Sequence, residues 1–383
     1  MNAAGAALPE CIVIAGGGTG GHLMPGLAVA AELRRRGVRR LIFVGTARGL
    51  ETRLVPAAGF ELECIRIGGL INLGWRRQLQ TLTSLPGAIL DCRRRLRAAR
   101  PAAVLGIGGY ASGPMLAAAR WDGVPLVLLE INTRPGLANR LAGDWARATA
   151  VAFAEAAAYF PRSVVTGLPV RAEFLQAEGP APTGAPLRLL CFGGGQGART
   201  INAAVLGLAA AWGEVAEPRE IVHQTGAGEW ESMRSAYARL PGQITEASEA
   251  LVYRHGGLEL RAQPFIAEMA AAMRRAHLAV CRSGAGTLAE LAAMGLPAVL
   301  IPFPAAADQH QLHNARAFAT AGAAVVLEQA QLTPPALETI VFDLVSHPAR
   351  MAAMRASARA LARPDATSRI ADLVLSAASG RQQ

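Results

Sequence analysis

Cys11-Ile12-Val13-Ile14-Ala15-Gly16-Gly17-Gly18-Thr19-Gly20-Gly21-His22 is the stretch whose reading decides the fold. Five strand-forming apolar residues run into a glycine turn, and an Ala- and Leu-rich helical pattern follows. A strand, a bare glycine turn and a helix N-terminus make an anion site, because free amides and the helix dipole meet a phosphate without side chains in the way. The plan recurs about 177 residues later, where Leu187-Arg188-Leu189-Leu190-Cys191-Phe192 leads into Gly193-Gly194-Gly195-Gln196-Gly197-Ala198. Two such units in 383 residues predict two Rossmann-like domains.

The rest of the chain agrees. Strand-like runs are expected at 11–15, 40–45, 103–106 and 126–130, with helices near 25–36, 86–99, 113–120 and 135–142. The second half offers strands at 187–192, 220–224, 258–262, 278–281, 298–301 and 323–327. This alternation predicts an α/β fold class: two Rossmann-like domains with parallel sheets, facing across a cleft. Residues 1–165 form the expected N-terminal domain and 166–350 the C-terminal one. Residues 351–383 are expected as helices packing back toward the N-terminal domain. Five prolines between Pro161 and Pro186 suggest a linker, centred on Thr166–Arg171, about which the domains hinge.

The formal net charge is +10 and every basic residue is Arg. Zinc-type spacing and RNA-recognition signatures are missing and aromatic interleaving is sparse, so no nucleic-acid partner is expected. An anionic membrane face or a phosphorylated substrate accounts better for the charge. The five cysteines lack CxxC spacing and read as small hydrophobes, with neither disulfides nor a metal cluster expected. No apolar run is long enough to span a bilayer. Gly68 to Ser84 mixes apolar residues with Arg out of any clean period. Ile71, Leu73, Trp75, Arg76, Arg77 and Leu79 therefore read either as an ordinary loop and helix start or as a membrane-facing patch, helped by Arg93, Arg94 and Arg95.

Three clusters carry polar chemistry. Gly16, Gly18 and Gly21 satisfy the dinucleotide spacing, but the second strand ends Val44-Gly45-Thr46-Ala47-Arg48 without the acid that would hold a ribose. Arg48 keeps an NADP enzyme open. Thr19 and His22 stand at the mouth of this turn. The second cluster, Cys281-Arg282-Ser283-Gly284-Ala285-Gly286-Thr287-Leu288-Ala289-Glu290, follows a strand and opens a helix. There the amides suit an anion and Glu290, one turn inside, suits two ribose hydroxyls. The third cluster is Asp308, His310, Gln311 and His313. Hydroxyl-binding groups for a sugar, a metal held by His310 and His313, or a solvated helix start all remain open for it.

These pieces together resemble the MurG-type N-acetylglucosaminyltransferases of peptidoglycan synthesis, which are GT-B enzymes. The resemblance rests on Gly16–His22 with Pro25-Gly26-Leu27-Ala28, on Gly108-Gly109-Tyr110-Ala111-Ser112-Gly113-Pro114, and on Gly193-Gly194 with Gln196-Gly197-Ala198. His223-Gln224-Thr225-Gly226, Pro264-Phe265-Ile266, the Ser283–Glu290 turn and Asn314-Ala315 complete it, in family order from residue 11 to about 330.

The resemblance implies an inverting transfer of GlcNAc from UDP-GlcNAc to the 4-hydroxyl of the muramyl sugar in lipid I, giving lipid II. It implies no cofactor, no metal, and a peripheral place on the cytoplasmic face of the bacterial inner membrane. Phe265 and Ile266 would flank uracil and Glu290 would hold ribose. The amides from Ala285 through Gly286 to Thr287 would take the diphosphate, with Arg171 nearby, and Ser283, Leu288, Ala289, Gly195 and Gln196 would also belong to the substrate site. His310 and Gln311 would contact the donor sugar. Thr19, Gly20, Gly21, His22, Tyr110 and Asn132 would lie near the acceptor. His22 is the preferred base and Glu130 the second.

The chain departs from the family in having Leu129 where His is usual, Gly195 where Ser is usual and Leu168 where Asn is usual. A UDP-GlcNAc 2-epimerase of the same architecture, an NADP oxidoreductase and an inactive cell-wall scaffold are the competing readings.

Overall fold

The computed structural model describes residues 8–18, 20–67, 75–176, 182, 184–247 and 249–380, with 75–82 and 247 described by backbone alone. The chain divides into two compact units. Unit 1 is Met1–Val170 with Arg363–Gln383, and unit 2 is Arg171–Ala362.

Unit 1 begins with β1 (Cys11–Gly16), α1 (Gly20–Arg35), β2 (Arg40–Thr46), α2 (Glu51–Ala57), β3 (Glu61–Ile65) and α3 (Trp75–Ala99). It continues with β4 (Ala103–Gly108), α4 (Gly113–Trp121), β5 (Leu126–Glu130), α5 (Leu137–Ala142), β6 (Ala148–Val151) and β7 (Ser163–Val165). The strands form one all-parallel sheet in the order β3-β2-β1-β4-β5-β6-β7. Strands β1, β4 and β5 are buried along their whole length. Continuous apolar runs are what a parallel sheet covered on both faces requires.

Unit 2 begins with α6 (Ala172–Leu175), β8 (Leu187–Phe192), α7 (Arg199–Gly213), β9 (Arg219–Gln224), α8 (Trp230–Tyr237), β10 (Gln243–Ala247), β11 (Ala250–His255) and β12 (Leu258–Gln263). Next come α9 (Met269–Arg275), β13 (Leu278–Cys281), α10 (Ala285–Met294), β14 (Ala298–Leu300), α11 (His310–Thr320), β15 (Ala324–Val326), α12 (Pro334–Val345) and α13 (Pro348–Leu361). Its sheet runs β10-β11-β12-β9-β8-β13-β14-β15. Trp212, Tyr237 and Tyr253 are the largest fully buried side chains of its core.

Three features differ from the sequence reading. The second sheet is mixed, because β10, β11 and β12 pair antiparallel. Gly256-Gly257 makes the two-residue turn between β11 and β12, with Gly256 at a φ of 52°. The stretch read as a linker contributes β7, which pairs with β6 at the sheet edge, and the short α6. The boundaries fall at 170/171 and 362/363 where 165/166 and 350/351 were expected. Helix α13 stays in unit 2, since Met351 and Met354 enter that core, whereas α14 (Ala366–Ala378) packs on α1 and β4 of unit 1. Arg36, the residue after α1, holds α14 through Asp372 and Ser368.

The strand order reverses between β1 and β4 in unit 1 and between β8 and β13 in unit 2. In open α/β sheets ligands bind beyond the carboxyl ends of the strands at such a switch point. Both glycine turns and the Ser283 turn lie at these ends.

Candidate active site

At the switch point of unit 1 two glycine turns meet backbone to backbone. A Cβ on Gly16 would stand 2.4 Å from the Gly108 carbonyl oxygen, and one on Gly109 would stand 2.5 Å from that of Gly17. Gly108 also makes room for the His22 ring: a Cβ there would lie 2.8 Å from His22 Cδ2 and 3.5 Å from Asn139 Nδ2. The His22 imidazole thus lies against the end of β4, beside Asn139. The Tyr110 ring stands over Gly18 and is half exposed. Gly20 and Gly21 form the first residues of α1, and Thr19 lies outside the described residues.

Glu130, expected as a second base, is instead an anchor. Its Oε1 accepts from the Asn132 amide at 3.0 Å, and its Oε2 accepts from the Gly136 amide at 3.2 Å and Asn139 Nδ2 at 3.0 Å. Only 2% of the residue is exposed. Burial pushes its carboxyl up to about 7, against the hydrogen bonds from Asn132, Asn139 and Gly136. A carboxylate so engaged sets the loop that carries Asn132 and is not open to a substrate hydroxyl. Leu129 is fully buried, so the position where the family usually has His belongs to the core in this chain.

Sequence reading missed Glu51. This carboxylate is 1% exposed and accepts from the Thr46 amide, the Thr46 hydroxyl and the Gly18 amide at 2.8, 2.8 and 2.9 Å. Burial pushes its carboxyl up, but the donors from Thr46 and Gly18 together hold it below the usual range. Gly17, Gly45 and Gly49 crowd it so closely that a Cβ on any of them would collide with its side chain. An internal anion therefore already occupies the Gly18 amide. That argues against a dinucleotide phosphate there, and so against the NADP reading.

In unit 2 the helix α10 opens without a side-chain cap and without an acid in its first turn. The amides of Ala285, Gly286 and Thr287 stand at its N-terminus, where the dipole favours a negative charge. Glu290 stands one turn further, with its side chain 22% exposed and 3.3 Å from Arg171. Burial raises its pKa, and Arg171 opposes the shift. The Ser283 hydroxyl donates to the Gln311 carbonyl oxygen at 2.7 Å, and the Phe303 amide donates to Gln311 Oε1 at 3.0 Å, so α11 is tied to the Ser283 turn. His310 Nδ1 donates to the Ala307 carbonyl oxygen at 2.7 Å. Asp308 and Gln309, just before it, are both held at positive φ, 49° and 51°. Non-glycine residues pay for that conformation with strain, which collects at functional sites. No group of three His, Cys, Asp or Glu suited to a metal occurs among the described residues.

The second glycine turn crosses the loop after β9. A Cβ on Gly197 would stand 2.1 Å from the Thr225 carbonyl oxygen. Gly195 and Gln196 are exposed at its tip, and a Cβ on Gly195 would meet nothing, so the family's usual serine would fit. Phe265 is 62% exposed while Ile266 is buried. Arg282, also missed, is buried with neutral partners: the carbonyl oxygens of Ile301 and Pro302, the Thr200 hydroxyl and Gln329 Oε1. It ties the first turn of α7 to the end of β14.

His223 supports this site from below. Its Nε2 faces Asn202 Oδ1 at 3.0 Å and its Nδ1 faces the Tyr237 hydroxyl at 2.8 Å, while Asn202 Nδ2 donates to the Thr225 carbonyl oxygen. An acceptor at Nε2 puts the proton there. Complete burial pushes its pKa down to about 3. The stability this contributes is present above pH 6.5 and is lost as pH falls toward 3, by about 1.4 kcal/mol per pH unit. Glu130 acts in the opposite sense, its contribution being lost as pH rises through about 7. Urea unfolding of wild type and His223→Gln at pH 7.5 and 5.0 isolates the His223 contribution. The variant should lose less stability on acidification, and equal losses would contradict the assignment.

Two Rossmann-like sheets, one with an uncapped helix N-terminus and a carboxylate one turn inside, define the class of α/β proteins that take a nucleotide at a switch point. The chain belongs to glycosyltransferase family 28: the family's N-terminal domain matches residues 12–151 and its C-terminal domain residues 188–370. It is 43% identical over 364 residues to the UDP-N-acetylglucosamine--N-acetylmuramyl-(pentapeptide) pyrophosphoryl-undecaprenol N-acetylglucosamine transferase of Solibacter usitatus, covering 94% of both chains. The protein of the same name from Syntrophotalea carbinolica is 43% identical over 362 residues, covering 94% of this chain and 96% of its own. The crystal structure of Acinetobacter baumannii MurG superimposes with a TM-score of 0.77 at 30% identity, covering 96% of this chain and 99% of its own.

Proposed function

We propose that this chain moves N-acetylglucosamine from UDP-GlcNAc to the 4-hydroxyl of the muramyl sugar of lipid I, an undecaprenyl-pyrophosphate carrier, giving lipid II with inversion. The observation that carries the reading is the N-terminus of α10, whose uncapped amides stand one turn from Glu290 and Arg171. The near-complete alignment with transferases of that name supports it. Unit 2 holds the donor: Phe265 and Ile266 at uracil, Glu290 at ribose, the amides from Ala285 to Thr287 at the diphosphate, His310 and Gln311 at the sugar. Unit 1 holds the acceptor near His22, Tyr110 and Asn132.

The acceptor hydroxyl gives its proton to His22 as its oxygen bonds to the anomeric carbon. The bond from that carbon to UDP breaks, and the departing diphosphate gains negative charge. Helix-terminal amides and Arg171 stabilise that charge without reorganising. UDP release from UDP-GlcNAc should require a lipid I analogue. Release at the same rate without acceptor would overturn the reading, and conversion of UDP-GlcNAc to its 2-epimer would favour the epimerase.

A lipid-linked acceptor is met at a bilayer, and no described helix is long and apolar enough to cross one. Peripheral attachment to an anionic inner-membrane surface is therefore part of the proposal. Trp75, Arg76, Arg77 and Leu79 fall on the first turns of α3, while Ile71 and Leu73 lie outside the described residues. Arg93 is paired with Asp122, and Arg95 with Glu63 and Asp91, which leaves Arg94 of that run to help. Each Arg near an anionic surface contributes about 1 kcal/mol. Binding to anionic vesicles should weaken with salt without vanishing. Trp75→Ser with Arg76→Glu and Arg77→Glu should abolish it and spare UDP-GlcNAc binding. Undiminished pelleting of that variant with vesicles would place the membrane surface elsewhere.

A further inference from the structure

Gln224 is the last residue of β9 and is 2% exposed. Its side chain makes two hydrogen bonds to two different loops. Nε2 donates to the Gly194 carbonyl oxygen at 2.9 Å, and Oε1 accepts from the Ile266 amide at 2.9 Å. The partners fix the amide's orientation, since a carbonyl needs the NH2 end and an amide needs the oxygen. The Gly194 carbonyl also accepts from the Gly197 amide and so closes the second glycine turn. Gly194 has a φ of 86°, which leaves that carbonyl's direction to backbone few other side chains allow. Ile266 follows the exposed Phe265 ring directly.

We infer that Gln224 is a positioning residue that sets the distance between the base end and the phosphate end of the nucleotide site. The inference rests on the donor reading of unit 2 and adds to it a determinant of uracil specificity. The Phe265–Ile266 segment is already paired with the loop after β9 where both leave the sheet: the Thr225 amide donates to the Gln263 carbonyl oxygen and the Gly226 amide to that of Pro264. Those bonds align the strand ends. Beyond them only the Gln224 side chain, among the described hydrogen bonds, joins the Gly194 turn to the Phe265–Ile266 segment. A nucleotide gripped at base and diphosphate needs that span held before it binds, because ordering it afterwards costs affinity.

Two variants and one measurement on the wild-type chain test this. Gln224→Glu keeps the length and the acceptor for Ile266 but loses the donor to Gly194. Gln224→Met keeps the length and loses both. In both, KM for UDP-GlcNAc should rise about tenfold, the size of one or two buried hydrogen bonds, with kcat little changed. The preference for UDP over ADP in direct binding should shrink by a similar factor. A residue that merely stabilised the fold would lower the active fraction, and so kcat, and leave KM and the UDP preference alone.

In the wild-type chain without ligand the Ile266 amide should be protected from hydrogen exchange. An unprotected Ile266 amide would overturn the inference even if neither variant folds. So would variants with wild-type KM and wild-type UDP preference. Wild-type protein that shows no preference for UDP over ADP would instead remove the donor reading on which the inference stands.

Discussion

His22→Ala should lower turnover by about 10²- to 10⁴-fold, the usual cost of losing a positioned general base. The affinity for UDP should stay at its wild-type value, because the proposed donor residues all belong to unit 2. The motive is geometric. The His22 ring lies against Gly108, beside Asn139, at the switch point of the first sheet. The other candidate, Glu130, accepts three hydrogen bonds from the loop and helix α5 that follow it and is almost completely buried. Steady-state kinetics with UDP binding by calorimetry checks both halves. A variant with near-normal turnover would remove His22 as the base, and one that lost UDP affinity would mean that it serves the donor.

Glu290→Ala should weaken UDP-GlcNAc binding by about 1–3 kcal/mol, the range for a lost charged hydrogen-bond acceptor. That is roughly a 5- to 150-fold rise in Kd. The same substitution takes a negative charge from beside Arg171, whose guanidinium would keep Glu173 at 2.9 Å. Inorganic pyrophosphate should therefore bind the variant no more weakly than wild type. Loss of both affinities together would point to damage at the α10 turn. Unchanged UDP-GlcNAc binding would remove Glu290 from the ribose.

The fold was legible because its decisive signals are local. Each glycine turn sits between an apolar strand and a helix, and the α/β plan read from that pattern is the one observed. Strand β11 is legible in the sequence too, although it is not among the strands expected above. Leu251, Tyr253, Leu258, Leu260 and Ala262 are buried, Arg254, Glu259 and Arg261 exposed, and Gly256-Gly257 makes the turn. That is period-two alternation around a hairpin signal. Strand β7, three residues among prolines, offers no period to read.

Site residues divide along the same line. The turns proposed to offer backbone to a ligand announce themselves by their glycines. Side chains that hold these turns in shape do not. Glu51 reads as an ordinary first-turn acid of α2, and its importance lies in the Gly18 and Thr46 donors folded onto it. Gln224 and Arg282 act on partners between 19 and 82 positions away. Glu130 could be found from the sequence but not its state, because only the folded loop brings Asn132, Gly136 and Asn139 to its oxygens.

Inverting transfer of a sugar to a lipid-linked acceptor is read most directly from the anomeric configuration of the product. Wild-type protein is incubated with UDP-GlcNAc carrying ¹³C at the anomeric carbon and a lipid I analogue, and the product is examined by NMR and mass spectrometry. The expected product carries one labelled GlcNAc per acceptor, joined through the muramyl 4-oxygen in the β configuration, with one UDP released for each. Free GlcNAc, the 2-epimer of UDP-GlcNAc or an α-linked product would contradict it.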